Sequence, residues 1–71
     1  MTETYYLLKT TNDAFYVSAE RPAGTNWGGF EFLGEPDYAT RIPSQDMAQT
    51  VAEKYGFIVY KVTVTTEMEK L

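Results

Sequence analysis

The 71-residue chain sets 6 Lys+Arg against 10 Asp+Glu, a net charge of −4 that is the wrong sign for gripping phosphate backbones. It has no cysteine and no histidine, which excludes disulfide scaffolds, zinc and iron–sulfur sites, Cys or His nucleophiles and histidine pH switches. Hydrophobic residues at 44% and aromatic residues at 15% supply enough apolar surface to exclude disorder.

A single small domain over residues 1–71 is expected, near the lower size limit for folding alone. No apolar run approaches the ~20 residues of a membrane span. The opening Met1–Tyr6 lacks the basic and apolar regions of a signal peptide. The chain therefore reads as a cytoplasmic protein with no membrane association.

Tyr5-Tyr6-Leu7-Leu8 within Glu3–Thr10 predicts a strand with apolar residues on both pleat faces, as a central strand requires. Thr11-Asn12-Asp13 is a turn signal, because Asn and Asp tolerate left-handed backbone and bond locally. Ala14–Ala19 then predicts the partner strand of an antiparallel hairpin, with Phe15, Val17 and Ala19 on one face and Tyr16 and Ser18 on the other.

From Glu20 to Gly29 the periodicity stops. This stretch holds Pro22 and three of the 5 glycines, and it reads as a long loop. Phe30–Leu33 predicts a short strand with Phe30 and Phe32 inward, broken at Gly34–Asp37. Tyr38–Ile42 is a brief extended piece ending before Pro43, which disfavours helix at Ile42.

Ser44 is a good N-cap, Asp46 suits the positive end of the helix dipole and Lys54 the negative end. Met47, Ala48, Val51, Ala52 and Tyr55 fall on one side of the resulting helix, and Gly56 sits where a left-handed C-cap belongs. A helix of about three turns cannot persist alone, so it must lie on a sheet. In Phe57–Thr65, Ile58, Tyr60, Val62 and Val64 alternate with Lys61, Thr63 and Thr65, which predicts a strand with the first set buried. Residues 66–71 read as a frayed tail. The fold class expected is α+β: a mainly antiparallel sheet of about three to five strands with one helix on one face, in ββ(β)αβ order and two layers.

Nothing in the chain spells catalysis, and no cofactor or metal is called for. Glu31, Glu35 and Asp37 are the only acidic cluster; they read as solvated surface and lack the spacing of a calcium loop. Trp27-Gly28-Gly29 resembles no phosphate-cradling motif. Trp27, beside Asn26, has two readings: a lid over a small core, which is favoured, or an exposed binding anchor. Tyr6 and Tyr16, with Lys9 and Lys61, could share the sheet face away from the helix and stack bases, but no basic stripe surrounds them. Tyr6, Leu8, Tyr16, Phe57 and Val59 on that face would leave an apolar patch that a partner protein or a second copy would cover.

The order of features, with Leu8-Lys9-Thr10 closing an aromatic strand, Ala39-Thr40-Arg41-Ile42 leading to Ser44, the Ala48 and Val51-Ala52 helix, then Gly56-Phe57 and Val59-Tyr60-Lys61-Val62, resembles small proteins of unassigned function encoded by phages and prophages, mainly of Gram-positive bacteria. The resemblance covers roughly residues 4–18 and 39–64, and the Trp27 loop has no counterpart in it. It implies a cytoplasmic accessory protein of an infected or lysogenic cell and carries over no catalytic residue. The expected function is a non-enzymatic protein-interaction module that binds a host or phage protein, with Trp27, Asn26, Tyr6 and Tyr16 as candidate contacts. The alternative is a nucleic-acid accessory protein using an aromatic sheet face.

Overall fold

In the computed structural model, which describes residues 2–70, four strands and one helix follow the order β1 (Thr2–Thr10), β2 (Tyr16–Ala23), β3 (Asn26–Leu33), α1 (Gln45–Tyr55) and β4 (Phe57–Thr65), with a 3₁₀ turn at Pro36–Tyr38. The sheet order is β3-β2-β1-β4 and every pairing is antiparallel. One helix on one face of this sheet is the α+β arrangement expected. Residues 66–70 take no regular structure, and Leu71, the end of the expected tail, lies outside the described residues.

The helix begins as its caps dictate. Ser44 is extended at the N-cap and its Oγ accepts from the Met47 N–H at 3.3 Å. Gly56 closes the helix at φ +76°, and its N–H donates to the Ala52 carbonyl at 2.8 Å. Ala48, Val51 and Ala52 are buried against Leu8, Val17, Trp27 and Ile42. Met47, expected on this buried side, is 38% exposed, although its neighbour Ala48 is fully buried.

β1 is a central strand, as its two apolar faces imply. It pairs with β4 along nine residues, from Thr2↔Thr65 to Thr10↔Phe57. Its pairing with β2 has one register pair only, Lys9↔Tyr16. The strands then part around residues 39–42. The Tyr6 N–H and C=O bond the Ile42 C=O and N–H at 2.8 and 2.9 Å, while the Thr40 N–H reaches the Val17 carbonyl at 3.3 Å. The Thr40 hydroxyl accepts from the Ala19 N–H at 2.9 Å. The extended piece anticipated before Pro43 is thus a wedge between β1 and β2, and the wedge satisfies backbone groups that the parting would otherwise orphan.

The predicted loop at residues 20–29 is instead a hairpin. β2 and β3 stay in one register from Tyr16↔Leu33 to Ala23↔Asn26, joined at Gly24-Thr25. Gly24, at φ +58°, supplies the positive φ that a two-residue turn of type II′ needs at its first central position. Pro22 breaks no ladder bond. It sits opposite Trp27, whose backbone bonds are directed away from β2, so the missing proline N–H faces the side that β1 has already left.

Candidate functional site

Trp27 is 6% exposed and belongs to the core cluster, so the exposed-anchor reading is corrected and the lid reading holds. Its indole Nε1–H donates to the Gly24 carbonyl at 3.0 Å. Trp27 and Phe30 both pack on the core side, although strict alternation would send residues three apart to opposite faces. Gly29, at φ +68°, is where the alternation breaks. A Cβ there would stand 2.7 Å from the Glu20 Cβ. Asn26, the other loop candidate, accepts a hydrogen bond from the Lys54 ammonium. It is a strut between hairpin and helix.

Tyr6 packs against the core on the helix side and Tyr16 does not, so those two candidates do not share a face. The patch expected from Tyr6, Leu8, Tyr16, Phe57 and Val59 is corrected in the same way. Leu8 is fully buried, and Tyr6, Phe57 and Val59 pack under the helix. The set Ile58, Tyr60, Val62 and Val64, expected to be buried, lies on the opposite face, with Tyr60 and Val64 each 40% exposed. Phe32 shares the helix side with Phe30 but is largely exposed at its rim, edge-on to Phe57 at 6.4 Å.

The open face is nonetheless built. Cross-strand pairs Tyr5↔Val62, Leu7↔Tyr60 and Lys9↔Ile58 run along β1 and β4, and Tyr16 flanks Lys9 from β2. They form a groove of about 300 Å³ lined by Tyr5, Leu7, Lys9, Tyr16, Tyr60 and Val62, with Pro36 and Lys61 at its rim. Leu7 is 3% exposed although no helix covers it.

Lys9 lies between two rings, 4.7 Å from the Tyr16 centroid and 5.3 Å from that of Tyr60. Asp13, held at φ +59° in the β1–β2 turn, takes the Lys9 ammonium at 3.2 Å and the Tyr60 hydroxyl at 2.5 Å. The Tyr60 hydrogen bond, then that of Lys9, holds the Asp13 carboxyl below its ordinary range. The same bond to Asp13 holds the Tyr60 hydroxyl above its own. At the other end of the groove the Arg41 guanidinium stacks over Tyr5 at 4.4 Å. Sequence reasoning found Tyr16 and missed Tyr5, Leu7, Tyr60 and Val62. The signal was present in the alternation of residues 57–65, once that alternation is assigned to the face without the helix.

Glu31, Glu35 and Asp37 are exposed, and among the described residues no three carboxylates gather as a metal cage would need. No described helix is long and apolar enough to cross a membrane. No family model matches this chain, no curated protein matches it and no solved structure matches it.

Proposed function

We propose that this chain is a non-enzymatic protein-interaction module whose open sheet face docks a partner protein. The observation that carries the reading is the groove over Leu7, walled by Tyr5, Tyr16, Tyr60 and Val62 and set with its own cation. Rigid aromatic walls around an apolar floor are the composition of binding hot spots. The bound Lys9 costs the partner no ordering, since Tyr16, Tyr60 and Asp13 already fix it. The fitting partner is a protein segment that offers one apolar side chain to the groove and a carboxylate towards Arg41. The resemblance to phage and prophage proteins supports a host or phage protein in the cytoplasm of an infected or lysogenic cell as that partner.

The test is affinity capture with the wild-type chain, Val62→Ser on the open face and Tyr38→Ser, exposed outside the groove. A specific protein should be retained by wild type and Tyr38→Ser and lost with Val62→Ser, at equal helix content. Equal retention by all three removes the reading. A nucleic-acid accessory role is the second reading, favoured by the grouping of Tyr5, Tyr16 and Tyr60 with Lys9 on one face. The net charge of −4 weighs against it.

A further inference from the structure

The two outer strands of the sheet are finished differently. The β3 edge is occupied and bent: the Tyr55 hydroxyl takes both the N–H and the C=O of Trp27, and Gly29 bends the strand at φ +68°. Such devices keep an edge from pairing with another chain. β4 has none of them. It runs nine residues as Phe-Ile-Val-Tyr-Lys-Val-Thr-Val-Thr, with one charge and no proline or glycine, and it stands last in the sheet order. Phe57 and Val59 pack under the helix, whereas Tyr60, Lys61 and Thr63 to Thr65 are exposed.

The direction of its free backbone groups follows from β1. Tyr6 turns both of its groups to Ile42, so in the β1–β4 ladder Tyr6↔Lys61 is a non-hydrogen-bonded pair. Tyr5↔Val62 and Leu7↔Tyr60 are then the bonded ones. Ile58, Tyr60, Val62 and Val64 therefore spend their backbone bonds on β1, and Val59, Lys61, Thr63 and Thr65 present theirs outward.

We propose that two copies of this chain pair antiparallel through β4, about a two-fold axis at Val62, to make one continuous eight-stranded sheet. The strand is self-complementary in that register. Tyr60 meets Val64 of the second copy and Val64 meets Tyr60, so both exposed apolar side chains are covered by the aromatic–β-branched pairing that sheets favour. Val62 meets Val62, and Lys61 meets Thr63 across the outward hydrogen bonds. An axis one residue earlier sets Lys61 against Lys61, a like-charge pair. Axes at Tyr60 or Thr63 leave Val64 or Tyr60 without its apolar partner. Each copy offers the same patch, as a closed two-fold dimer requires. A seven-residue edge is small for an interface, so a dissociation constant on the order of micromolar is expected.

Sedimentation equilibrium should show a mass that doubles over this concentration range. Single-cysteine variants at Tyr60, Lys61, Val62 and Thr63, in a chain with no other cysteine, should cross-link fastest at Val62 under mild oxidation. Facing non-hydrogen-bonded residues at the axis lie within disulfide reach. Thr63→Lys places like charges opposite each other twice and should weaken the dimer by about tenfold or more. Adding Lys61→Glu should restore it, which loss of folding could not imitate. A chain that stays monomeric to millimolar concentration, a fastest cross-link at Lys61, or no rescue by Lys61→Glu overturns the proposal.

Discussion

The phenolic oxygen of Tyr55 closes both backbone groups of Trp27, accepting from its N–H at 3.0 Å and donating to its C=O at 3.1 Å. The last turn of the helix thereby holds the hairpin tip where β1 no longer can. Tyr55 also sets its ring edge-on to Phe30 at 5.0 Å, which Tyr55→Phe would keep. That variant should lose about 1–3 kcal/mol, the cost of leaving partly buried backbone groups unmade. Chemical denaturation gives the number, and an unchanged midpoint would mean that water replaces the hydroxyl.

Two glycines of the same hairpin separate backbone strain from steric conflict. Gly24 and Gly29 both have positive φ, but a Cβ at Gly24 meets nothing within 4 Å, while one at Gly29 stands 2.7 Å from the Glu20 side chain. Gly24→Ala should cost about 1–3 kcal/mol for the positive-φ backbone alone. Gly29→Ala should cost more, and it should also shift the Trp27 fluorescence, because Gly29 is where Trp27 is turned into the core. Equal costs and an unchanged spectrum would refute that division.

The Asp13–Tyr60 bond links stability to pH at both ends of the scale. The Asp13 carboxyl is held below its ordinary 3.8, so its contribution is present above that value and lost as pH falls through the folded one. The Tyr60 hydroxyl is held above its ordinary 10.0, so its contribution is present below that value and lost as pH rises past it. Tyr60→Phe should remove a component at the high-pH end of the tyrosinate absorbance titration. The same variant should flatten the acid limb of the stability curve, because the Tyr60 hydrogen bond is the largest cause of the lowered Asp13 value.

The wedge predicts a cost at a polar, partly buried residue. Thr40→Val keeps the shape but removes the acceptor of the Ala19 N–H. About 1–3 kcal/mol should be lost, and the Ala19 amide should exchange faster with solvent. An unprotected Ala19 amide in the wild type would show that the bond does not persist.

The helix was legible because its signals are local: a cap at Ser44, a cap at Gly56 and apolar spacing between them. The hairpin at residues 11–13 was legible for the same reason. Residues 20–29 misled because Pro and Gly were taken as breaks. Pro22 stands where its missing N–H costs nothing, and Gly29 is required inside the strand to reverse Trp27. The faces of β4 misled for a different reason. A period of two sorts residues into two sets without saying which set meets the helix. Here the more regular set, Ile58 to Val64, meets Leu7 and Tyr5 on the other side. The groove was therefore seen only as a tendency towards an uncovered aromatic face, with Tyr6 placed on the wrong side of it.

The long β1–β4 ladder joins residues 47 positions apart at Thr10↔Phe57 and 63 apart at Thr2↔Thr65. The β2–β3 hairpin, by contrast, closes across two residues. Loop closure over so much chain is slow, and contacts of this span set the rate of folding. A nascent chain can form the hairpin and even nucleate the helix, while Tyr5-Tyr6-Leu7-Leu8 waits for its longest partner until residue 65 has been added. During that interval this central strand has only the β1–β2 turn and the wedge to hold it. The last strand to be synthesised is the one that completes the sheet, and refolding from denaturant should be slower than the chain's small size alone would suggest.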